Sequence, residues 1–590
     1  MSTTGLKLTV RSFDEGLAAA HRDAGAGAVA ARVLASRLVL PEYVRPSLKV
    51  LDNPSDLPDI GIAAERIAEA VESGQRIAIE TDYDVDGTTA HAIIRGSLIQ
   101  YLGASPDNVV SFIGHRLKEG YGLSESLAQR IIADGRVNLV ITADNGTSDE
   151  PRIKMLKDAG IDTIVTDHHG IPDAGIPGSA YAVVSPARED SKYPDPTIAG
   201  CMTAFLLMTQ VRQRLMARRG VSLPALGSFI DYAACGTVAD CVSLASPNNR
   251  AVVRAGLNMI TSGRRPCWES AMDVLAAPGE PVGSDVIGYQ IGPRINARTR
   301  LDDPMAALDW LMAEDGFSAT SGFSLLSQEN DRRKVIEADM RVKAIEIARA
   351  QMAAGLRVAC VFLEDGHKGV NGIVASRVRD ALGCMSLVLS PDSKDRAMAT
   401  GSLRTGSNGP HVLNVMKIAA RANPNLLPKF GGHSGAGGLS TPIDTIEQLG
   451  RALHDALAVI ETDAGMDASA AIAPEIEVDG AIDPKLITLG LVDEFRDLEP
   501  FGQKFEYPVF CGRAQVLSVR VIGKDRNHRA LKLRFGDVTH NAVLFGVDRM
   551  PGADLVDKAS WIECAYQVKD NFYRGNRSLQ LQVQGISQAE

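Results

Sequence analysis

Short runs of apolar and β-branched residues alternate with helical patterns from about Arg76 onward. The apolar runs are RIAIE, NLVITA, DTIVT and YAVV, and one helical pattern covers Ser124–Ala133. Strands that alternate with helices form βαβ units, so this pattern predicts an α/β domain with a parallel sheet. We assign it residues 51–300 and expect a helical segment over residues 1–50.

A proline-free stretch rich in Ala, Glu, Lys and Arg covers about residues 325–354. A helix of about 30 residues would span ~45 Å, which is enough to connect two domains. A surface helix packed on one domain is the alternative. We expect a connecting helical segment over 301–355, followed by a smaller α/β domain over 356–465 that begins with RVACVFL.

The pattern changes again from about residue 471. Alternating segments (AQVLSVRVIG, ALKLRFG, NAVLFG and SLQLQVQGI) are separated by turn residues. Short alternating strands of this kind predict a small antiparallel barrel or sandwich over residues 471–590.

Composition and charge exclude several classes of protein. The chain is 45% hydrophobic and 23% charged, and none of its eight cysteines forms a CxxC pair, which argues against a disordered chain, a zinc ribbon and a disulfide scaffold. No apolar run approaches the ~18–20 residues that span a bilayer, and the start lacks an apolar signal segment. We therefore expect a cytoplasmic protein. Residues 511–590 carry a net charge of +4 within a chain of net charge −10, so a basic tail follows an acidic body.

The densest chemical signal is TDYDVDGTTA, where Asp82, Asp84 and Asp86 alternate directly after RIAIE. Carboxylates this close repel one another unless a cation neutralises them. A calcium loop of the EF-hand type is one alternative, but position twelve from Asp82 is Ile93 instead of the acidic ligand. A solvated acidic turn without function is the other.

Further acidic and imidazole side chains follow other segments. Asp144 follows NLVITA, the triplet Asp167–His169 follows DTIVT, and Asp240 ends DYAACGTVAD. The carboxyl ends of parallel strands form the ligand crevice of an open sheet, so this convergence predicts a metal site. An oxygen-dominated set with imidazole suits Mn²⁺ or Mg²⁺, and two ions fit this many ligands, which makes phosphoester hydrolysis the natural reaction.

Several ordered motifs, among them DYDVDG, ADNG, TDHHG, GPRINARTR, GVNGIVASRV, GSLRTG, GGHSGAGG and LEPFGQKFEYPVF, resemble those of the DHH phosphoesterase superfamily, and within it a bacterial branch of single-strand-specific 5′→3′ DNA exonucleases. The similarity covers about residues 50–590. It implies an α/β fold with a parallel-sheet DHH domain, a connecting long helix, a smaller α/β DHHA1 domain and a C-terminal OB-like β-barrel. It also implies two Mn²⁺ or Mg²⁺ ions held by Asp82, Asp84, Asp86, Asp144, His168 and Asp240, with Asp144 as the bridge and His169 facing the scissile phosphate.

The polar and basic groups outside this cluster are candidates for DNA contacts. Basic side chains near glycines suit phosphate, and aromatics among basic residues suit stacking on unpaired bases. Solvated faces are the alternative for the arginines, and core packing is the alternative for Phe535. The expected contacts are Arg294, Asn296, Arg300, Ser376, Arg377, Ser402, Arg404, His433, Phe535 and Arg574.

We therefore expect an enzyme that degrades single-stranded DNA in repair or recombination. Its expected partners are DNA, a single-strand-binding protein and a helicase, and we expect a monomer without membrane contact. One alternative is a DHH phosphodiesterase for short oligonucleotides or cyclic dinucleotides, although such relatives usually lack the barrel. The other is an inactive DNA-binding scaffold, which would not need the full acidic set.

Overall fold

The computed structural model describes most of the 590-residue chain. The described residues are 6–276, 282–301, 304–406, 409–463, 475–547, 550, 552–558, 560–573 and 575–588. Within these ranges, no helix combines the length and the apolar character needed to cross a membrane.

The N-terminal segment contains a strand as well as helices. Strand β1 (Lys7–Val10) is followed by α1 (Glu15–Asp23) and α2 (Ala28–Ser36). β1 pairs in parallel with a strand at residues 475–478, just before the C-terminal barrel. The sequence predicted only the helical part, because a four-residue edge strand with a distant partner leaves no periodic signal.

The first α/β domain is built on a five-stranded parallel sheet in the order β3-β2-β4-β5-β6. Its strands are β2 (Arg76–Thr81), β3 (Val109–Ile113), β4 (Val137–Ala143), β5 (Asp162–Thr166) and β6 (Ala182–Val184). Its helices are α3 (Ile60–Glu72), α4 (Val85–Gly96), α5 (Glu125–Ala133), α6 (Glu150–Asp158), α7 (Gly200–Arg219), α8 (Ile230–Ala239), α9 (Pro247–Thr261), α10 (Pro266–Leu275), α11 (Ser284–Val286), α12 (Gly292–Leu301) and α13 (Met305–Leu311). The predicted parallel sheet is confirmed, although β3 was missed and the described chain between β6 and α13 is helical instead of alternating.

Alternate residues of the central strands enter two separate cores. Ile77 and Ile79 of β2 face the larger core with the helices α4 and α7, whereas Ala78 faces a smaller one with α5 and α6. Strands that are buried on both faces read as continuous apolar runs. This arrangement fixes the carboxyl edge of the sheet, where the acidic motifs emerge.

The connecting helix α14 (Gly316–Ala353) contains 38 residues and is about 57 Å long at 1.5 Å per residue. Phe323 and Leu326 in its first half are buried in the core of the first domain. Met340, Ala344 and Ala348 in its second half are buried in a core of the next domain. The predicted connection between two domains is therefore confirmed.

The second α/β domain has a mixed five-stranded sheet in the order β10-β11-β9-β8-β7; β7 and β8 are parallel, and the other described pairs are antiparallel. Its elements are β7 (Val358–Phe362), α15 (Asn371–Leu382), β8 (Met385–Pro391), β9 (Met398–Arg404), α16 (Val412–Ala422), β10 (Lys429–Gly432), β11 (Ala436–Pro442) and α17 (Ile446–Asp463). The glycine-rich GGHSGAGG therefore forms the tip of the β10–β11 hairpin.

The C-terminal region forms a closed barrel in the order β13-β14-β15-β17-β16. Strand β12 (Glu475–Val478) and α18 (Leu489–Arg496) precede β13 (Phe510–Ile522), β14 (His528–Phe535), β15 (Val538–Phe545), β16 (Trp561–Tyr573) and β17 (Asn576–Gln588). The predicted barrel is confirmed.

One expected DNA contact in the barrel is wrong. The Phe535 side chain is only 4% exposed and packs against the Tyr566 ring with their centroids 5.3 Å apart. A ring in the barrel core cannot stack on a base, so the core-packing alternative holds. Arg574, the other contact expected in the tail, lies outside the described residues.

Buried Arg250 of α9 fastens three parts of the chain together. Its guanidinium donates to the carbonyl oxygens of Val44, Leu498 and Pro500 at 2.8–3.1 Å and lies 4.0 Å from the centroid of the Phe505 ring. The N-terminal segment, the first domain and the segment LEPFGQKFEYPVF therefore meet at one side chain.

Candidate metal centre

Three alternating aspartates follow β2 and lead into the first turn of α4. Asp82 follows the strand directly and is 4% exposed. Asp84 caps α4 by accepting hydrogen bonds from two backbone amides of its first turn. Asp86, in that turn, accepts from the amides of Gly200 (2.7 Å) and Cys201 (2.9 Å) at the start of α7. Two helix N-termini thus stabilise negative charge at this edge of the sheet.

Asp144 follows β4 directly and has a left-handed backbone, with φ of +63°. Asp and Asn are the side chains that best tolerate this region. Its amide donates to the carbonyl of Thr166 in β5 at 3.0 Å. A Cβ at Gly200 would lie 2.9 Å from Asp144 Oδ1, so α7 approaches this carboxylate only because it begins with glycine.

His168 reaches the same place from the end of β5. Its Nε2 lies 3.2 Å from Asp144 Oδ1, 3.5 Å from Asp240 Oδ2 and 3.7 Å from Asp86 Oδ2. Asp240 follows the C-terminal end of α8, so a helix delivers this carboxylate instead of a strand. Burial lowers the pKa of His168, which favours the neutral imidazole that can ligate a metal.

Asp167 orients His169. Its Oδ1 accepts from the His169 backbone amide (3.1 Å) and from His169 Nδ1 (2.7 Å), and its Oδ2 accepts from the Thr147 hydroxyl at 2.7 Å. Burial disfavours the carboxylate form of Asp167 and the imidazolium form of His169, but the hydrogen bonds outweigh burial. They hold the pKa of Asp167 below its usual range and raise the pKa of His169 to about 9. His169 Nε2 makes no bond to Asp167.

The donor set fits divalent cations. Asp82 Oδ1, Asp144 Oδ1 and His168 Nε2 are buried, and none has a hydrogen-bond partner among the described residues. Burial and the neighbouring carboxylates raise the pKa values of Asp82, Asp144 and Asp240. Buried unpaired polar groups and mutually repelling carboxylates are costly unless a cation compensates them. Oxygen donors with one imidazole suit Mn²⁺ or Mg²⁺.

Among the described residues, these donors fall into three overlapping groups. The ligand atoms of each group lie within 4.8 Å of one another. Two groups share Asp144 and two share His168, so the cluster has room for more than one ion. The groups are Asp82 with Asp84 and Asp144, Asp86 with His168 and Asp240, and Asp144 with His168 and His169.

A cluster of arginines lies beside this acidic cluster. Arg116, from the loop after β3, stacks 4.3 Å from the centroid of the Tyr83 ring and its charge acts on Asp82. Burial and the charges of Arg116 and Arg404 lower the pKa of Arg300 to about 9. Arg116 Nη1 and Arg404 Nε are buried, and within the described ranges neither has a hydrogen-bond partner. Such cations require an anion, and phosphate matches them.

The glycine-rich hairpin of the second domain lies next to the acidic cluster. The His433 ring stacks on the His169 ring, with centroids 6.3 Å apart and an interplanar angle of 24°. Ser402 and Arg404 on β9 lie beside Gly372 of α15, where a Cβ would be 2.9–3.2 Å from both side chains. The candidate site therefore lies between the two α/β domains.

Three of the other expected DNA contacts are engaged with protein groups. Arg294 donates to Ser327 of α14 at 3.1 Å, Arg377 donates to Glu337 of α14 at 3.2 Å, and Ser376 donates to the carbonyl of Gly372 at 3.1 Å. The amide oxygen of Asn296 is buried without a partner in the described chain. Contact of these residues with DNA stays a prediction.

Sequence reasoning missed the loop between β3 and α5. This loop delivers Arg116 to the arginine cluster and Tyr121 to His169. A strand pattern at β3 would have placed the loop at the carboxyl edge of the sheet, but no motif marked it as functional.

Comparison with known proteins identifies the class of this fold and site. Residues 76–237 match the family model described as the DHH family, N-terminal domain, and residues 478–585 match the model of the RecJ OB domain. The parallel-sheet domain with its acidic cluster is therefore a DHH domain, and the closed barrel is of the OB type.

Individual relatives narrow the class to one family. The chain is 32% identical to the single-stranded-DNA-specific exonuclease RecJ of Haemophilus influenzae, over 92% of each chain. The crystal structure of RecJ in complex with Mn²⁺ from Thermus thermophilus has a TM-score of 0.79 at 24% identity and covers 99% of this chain and 80% of that chain. A structure of exonuclease RecJ bound to manganese is 30% identical, with a TM-score of 0.56, and covers 68% of this chain and 95% of that chain. The chain belongs to the RecJ family, and the resemblance seen in its motifs is confirmed.

Proposed function

We propose that this protein is a metal-dependent exonuclease that degrades single-stranded DNA from the 5′ end. The observation that carries the proposal is the cluster of five aspartates and His168, with three buried ligand atoms that lack partners in the described chain, in a protein of the RecJ family. The relative solved with manganese supports Mn²⁺ as one of the ions.

Six residues would hold two Mn²⁺ or Mg²⁺ ions. Asp82 and Asp84 would hold one ion, Asp86, His168 and Asp240 would hold the other, and Asp144, which groups with Asp82 and Asp84 and also with His168, could contribute to both. Bound divalent ions activate water and neutralise charge on the phosphate. The protein contributes the fixed carboxylates, which two helix N-termini and the sheet edge hold in place.

His169 acts on the phosphate at the same centre. Asp167 holds Nδ1, so Nε2 is the nitrogen that can donate a proton to the leaving oxygen or a hydrogen bond to the phosphate. His433 stacks against the His169 ring and keeps the imidazole between the two domains.

The arginine cluster supports cleavage from a phosphorylated strand end, and we propose that this end is the 5′ end. A terminal phosphate monoester carries up to two negative charges, whereas an internal diester carries one, so several guanidinium groups favour the end of a strand. Arg116, Arg300 and Arg404 lie near the Asp82 side of the acidic cluster. A 5′-phosphate held there would present the following diester to the metal centre.

The barrel surface offers a stacking site for longer strands. Trp561 is 42% exposed, and the Arg513 guanidinium lies 5.3 Å from the centroid of its ring. Gln515 is the cross-strand partner of both Trp561 and Arg534, and it accepts a hydrogen bond from the Arg534 guanidinium. An exposed indole beside two cations is suited to unpaired bases and phosphates, and a phosphodiesterase for dinucleotides would not need it.

The test compares a long oligonucleotide in single-stranded and duplex form with a dinucleotide, which is too short to reach the barrel. We expect rapid release of a 5′ label from the single strand with Mn²⁺ and none with EDTA. Strands with a 5′-phosphate should be cut faster than those with a 5′-hydroxyl. Release of the 3′ label first, or preference for the dinucleotide, would contradict the proposal.

A cytoplasmic location, a monomeric state, and a single-strand-binding protein and a helicase as partners stay predictions from the sequence. So do the two-ion stoichiometry, the role in repair or recombination, and the domain boundaries. Light scattering tests the monomeric state, and calorimetric counting of Mn²⁺ tests the stoichiometry.

A further inference from the structure

Tyr121 joins the metal centre without belonging to any of the motifs above. The residue is 54% exposed, but its hydroxyl oxygen lies 3.2 Å from His169 Nε2, 3.3 Å from His169 Nδ1 and 3.4 Å from the backbone oxygen of Asp144. The two rings meet edge to face, with centroids 5.8 Å apart. An oxygen at similar distances from both nitrogens lies over the face of the imidazole, and its hydroxyl can donate to the Asp144 carbonyl, so it connects the His169 ring to the backbone of a candidate metal ligand.

The backbone on each side of Tyr121 has an unusual conformation. Gly120 and Gly122 have φ of +93° and +73°, which glycine adopts without strain. A Cβ at Gly122 would lie 2.9 Å from Asp149 Oδ2. Tyr121 therefore lies between two sharp backbone bends, which glycine at positions 120 and 122 permits.

Buried polar contacts fix this bend. Asp149 accepts from the amide of Leu123 at 3.0 Å, and Arg152 donates to the carbonyl of Leu123 at 3.0 Å. On the other side, Glu119 accepts from the amide of His115 at 2.8 Å. The position of the phenol is therefore determined by the fold, although the ring itself is half exposed.

The chemistry of the imidazole decides what the phenol can do. Asp167 occupies Nδ1 at 2.7 Å, so Nε2 is the nitrogen available to a substrate. The Tyr121 hydroxyl lies against the face of the ring, at similar distances from both nitrogens, and so leaves the in-plane direction of Nε2 open. The bond of Nδ1 to Asp167 and the contact on the ring face together restrict rotation of the imidazole about its Cβ–Cγ bond.

We propose that Tyr121 is a positioning residue for strand cleavage, whose hydroxyl holds the His169 imidazole with Nε2 toward the scissile phosphate. The proposal rests on the proposed function, because it assumes that His169 acts on that phosphate. Tyr121 acts through His169 and holds no metal ion. Its ring makes no contribution that phenylalanine could not replace.

The first test compares Tyr121→Phe with Tyr181→Phe, a matched control at a 46% exposed tyrosine outside the site. We expect the single-turnover cleavage rate of Tyr121→Phe to fall about tenfold, as loss of one ordinary hydrogen bond would give. The KM for the oligonucleotide and the Mn²⁺ stoichiometry should stay essentially unchanged, and Tyr181→Phe should match wild type. An unchanged rate, or a loss of bound Mn²⁺, would overturn the proposal.

The second test asks whether the hydroxyl acts through His169. In a His169→Ala background, the Tyr121→Phe change should have no further effect on the rate, since residues acting through one another are not additive. A further loss of about tenfold in that background would mean that the phenol acts on the substrate directly, and the positioning role would be wrong.

A third readout needs no activity and so separates this inference from the proposed function. In metal-free protein labelled with ¹⁵N-histidine, the Nε2 resonance of His169 should shift in Tyr121→Phe. The resonances of buried His91, which contacts Thr81 and Ser111, should not. An unchanged His169 resonance would show that the contact does not exist in solution, whether or not the wild-type protein cuts DNA.

Discussion

Replacing Asp144 by Asn should stabilise the metal-free protein while removing its response to Mn²⁺. Asn has nearly the same shape and is tolerated at the φ of +63° found here, whereas Ala would add backbone strain of about 1–2 kcal/mol. Asn keeps the backbone bond to Thr166 but removes the charge. It therefore isolates the charge of the carboxylate that lies between the two sets of candidate ligands.

The expected magnitudes follow from the surroundings of this carboxylate. Without metal, Asp144 is 1% exposed, and burial and its acidic neighbours disfavour its charged form. Removing such an unfavourable group commonly raises the free energy of unfolding by about 0.5–2 kcal/mol. Each kcal/mol raises Tm by about 2–4 °C for a domain of this size. With Mn²⁺ at about 100 times its Kd, the wild type gains about 2.7 kcal/mol per ion, and the variant should lose most of this gain.

The order of the two melting temperatures should therefore reverse between EDTA and Mn²⁺. Differential scanning fluorimetry measures this directly, with Asp365→Asn in an exposed loop as the control that should follow wild type. Cleavage by Asp144→Asn should fall by about 10³-fold or more, because several kcal/mol of transition-state stabilisation disappear. A variant that melts below wild type in both conditions would make Asp144 a structural residue. An equal Mn²⁺ shift in both proteins would remove it from the ligand set.

Four further outcomes are expected. At equal low concentration Mn²⁺ should support faster cleavage than Mg²⁺, because His168 favours the softer ion; a titration in which Mg²⁺ is equal or better would contradict that ligand. His169→Ala should cut about 10²–10⁴-fold more slowly with unchanged calorimetric Mn²⁺ stoichiometry, and loss of an ion would make this residue a ligand. Trp561→Ala should weaken binding of long strands by about 1–3 kcal/mol without slowing cleavage of short ones, whereas Phe535→Leu should lower Tm and leave DNA binding intact. Arg404→Gln should abolish the preference for 5′-phosphorylated ends in competition assays, and an unchanged preference would remove the arginine cluster from end recognition.

The elements that the sequence predicted are those with a strong local period. The runs RIAIE, NLVITA and DTIVT became β2, β4 and β5, because strands buried on both faces are continuous and apolar. The connecting helix was visible because about 30 residues passed without proline or glycine-rich breaks. Strand β1 was missed because its stability comes from a partner strand near the other end of the chain, and a run of four residues is too short to show a period.

The same distinction, between local pattern and distant contacts, explains which residues of the candidate site could be predicted. Asp82, Asp144 and His168 could be placed because they follow predicted strands, and the geometry of a parallel sheet brings strand ends together. The reach of Arg116 and Tyr121 into the site depends on a loop whose shape is fixed by tertiary contacts such as Asp149 with Leu123. Local sequence carries no signal of such contacts.

Phe535 shows a limit of pattern reading in barrels. Apolar and basic residues alternate along β14, and Phe535 fits this alternation whether its ring faces a strand of DNA or the barrel core, because the period of two is the same for both. Only closure of the barrel decides which face is inside. Closure buries Phe535 and leaves Trp561 exposed, so the residue proposed for stacking is one that its own neighbourhood in sequence did not distinguish.

The way the barrel is attached determines how its role can be tested. Deleting the tail would remove Leu498, Pro500 and Phe505, which surround the buried guanidinium of Arg250. A buried charge that loses its carbonyl and ring partners costs several kcal/mol, and the lesion would lie in the core of the DHH domain. The same deletion would remove Asp479, which pairs with buried Arg37 of the N-terminal segment at 2.5 Å. A loss of activity after truncation would thus report on folding as much as on DNA binding. Substitution of the exposed Trp561 leaves each of these contacts in place, and a loss confined to long strands could then be assigned to the barrel surface.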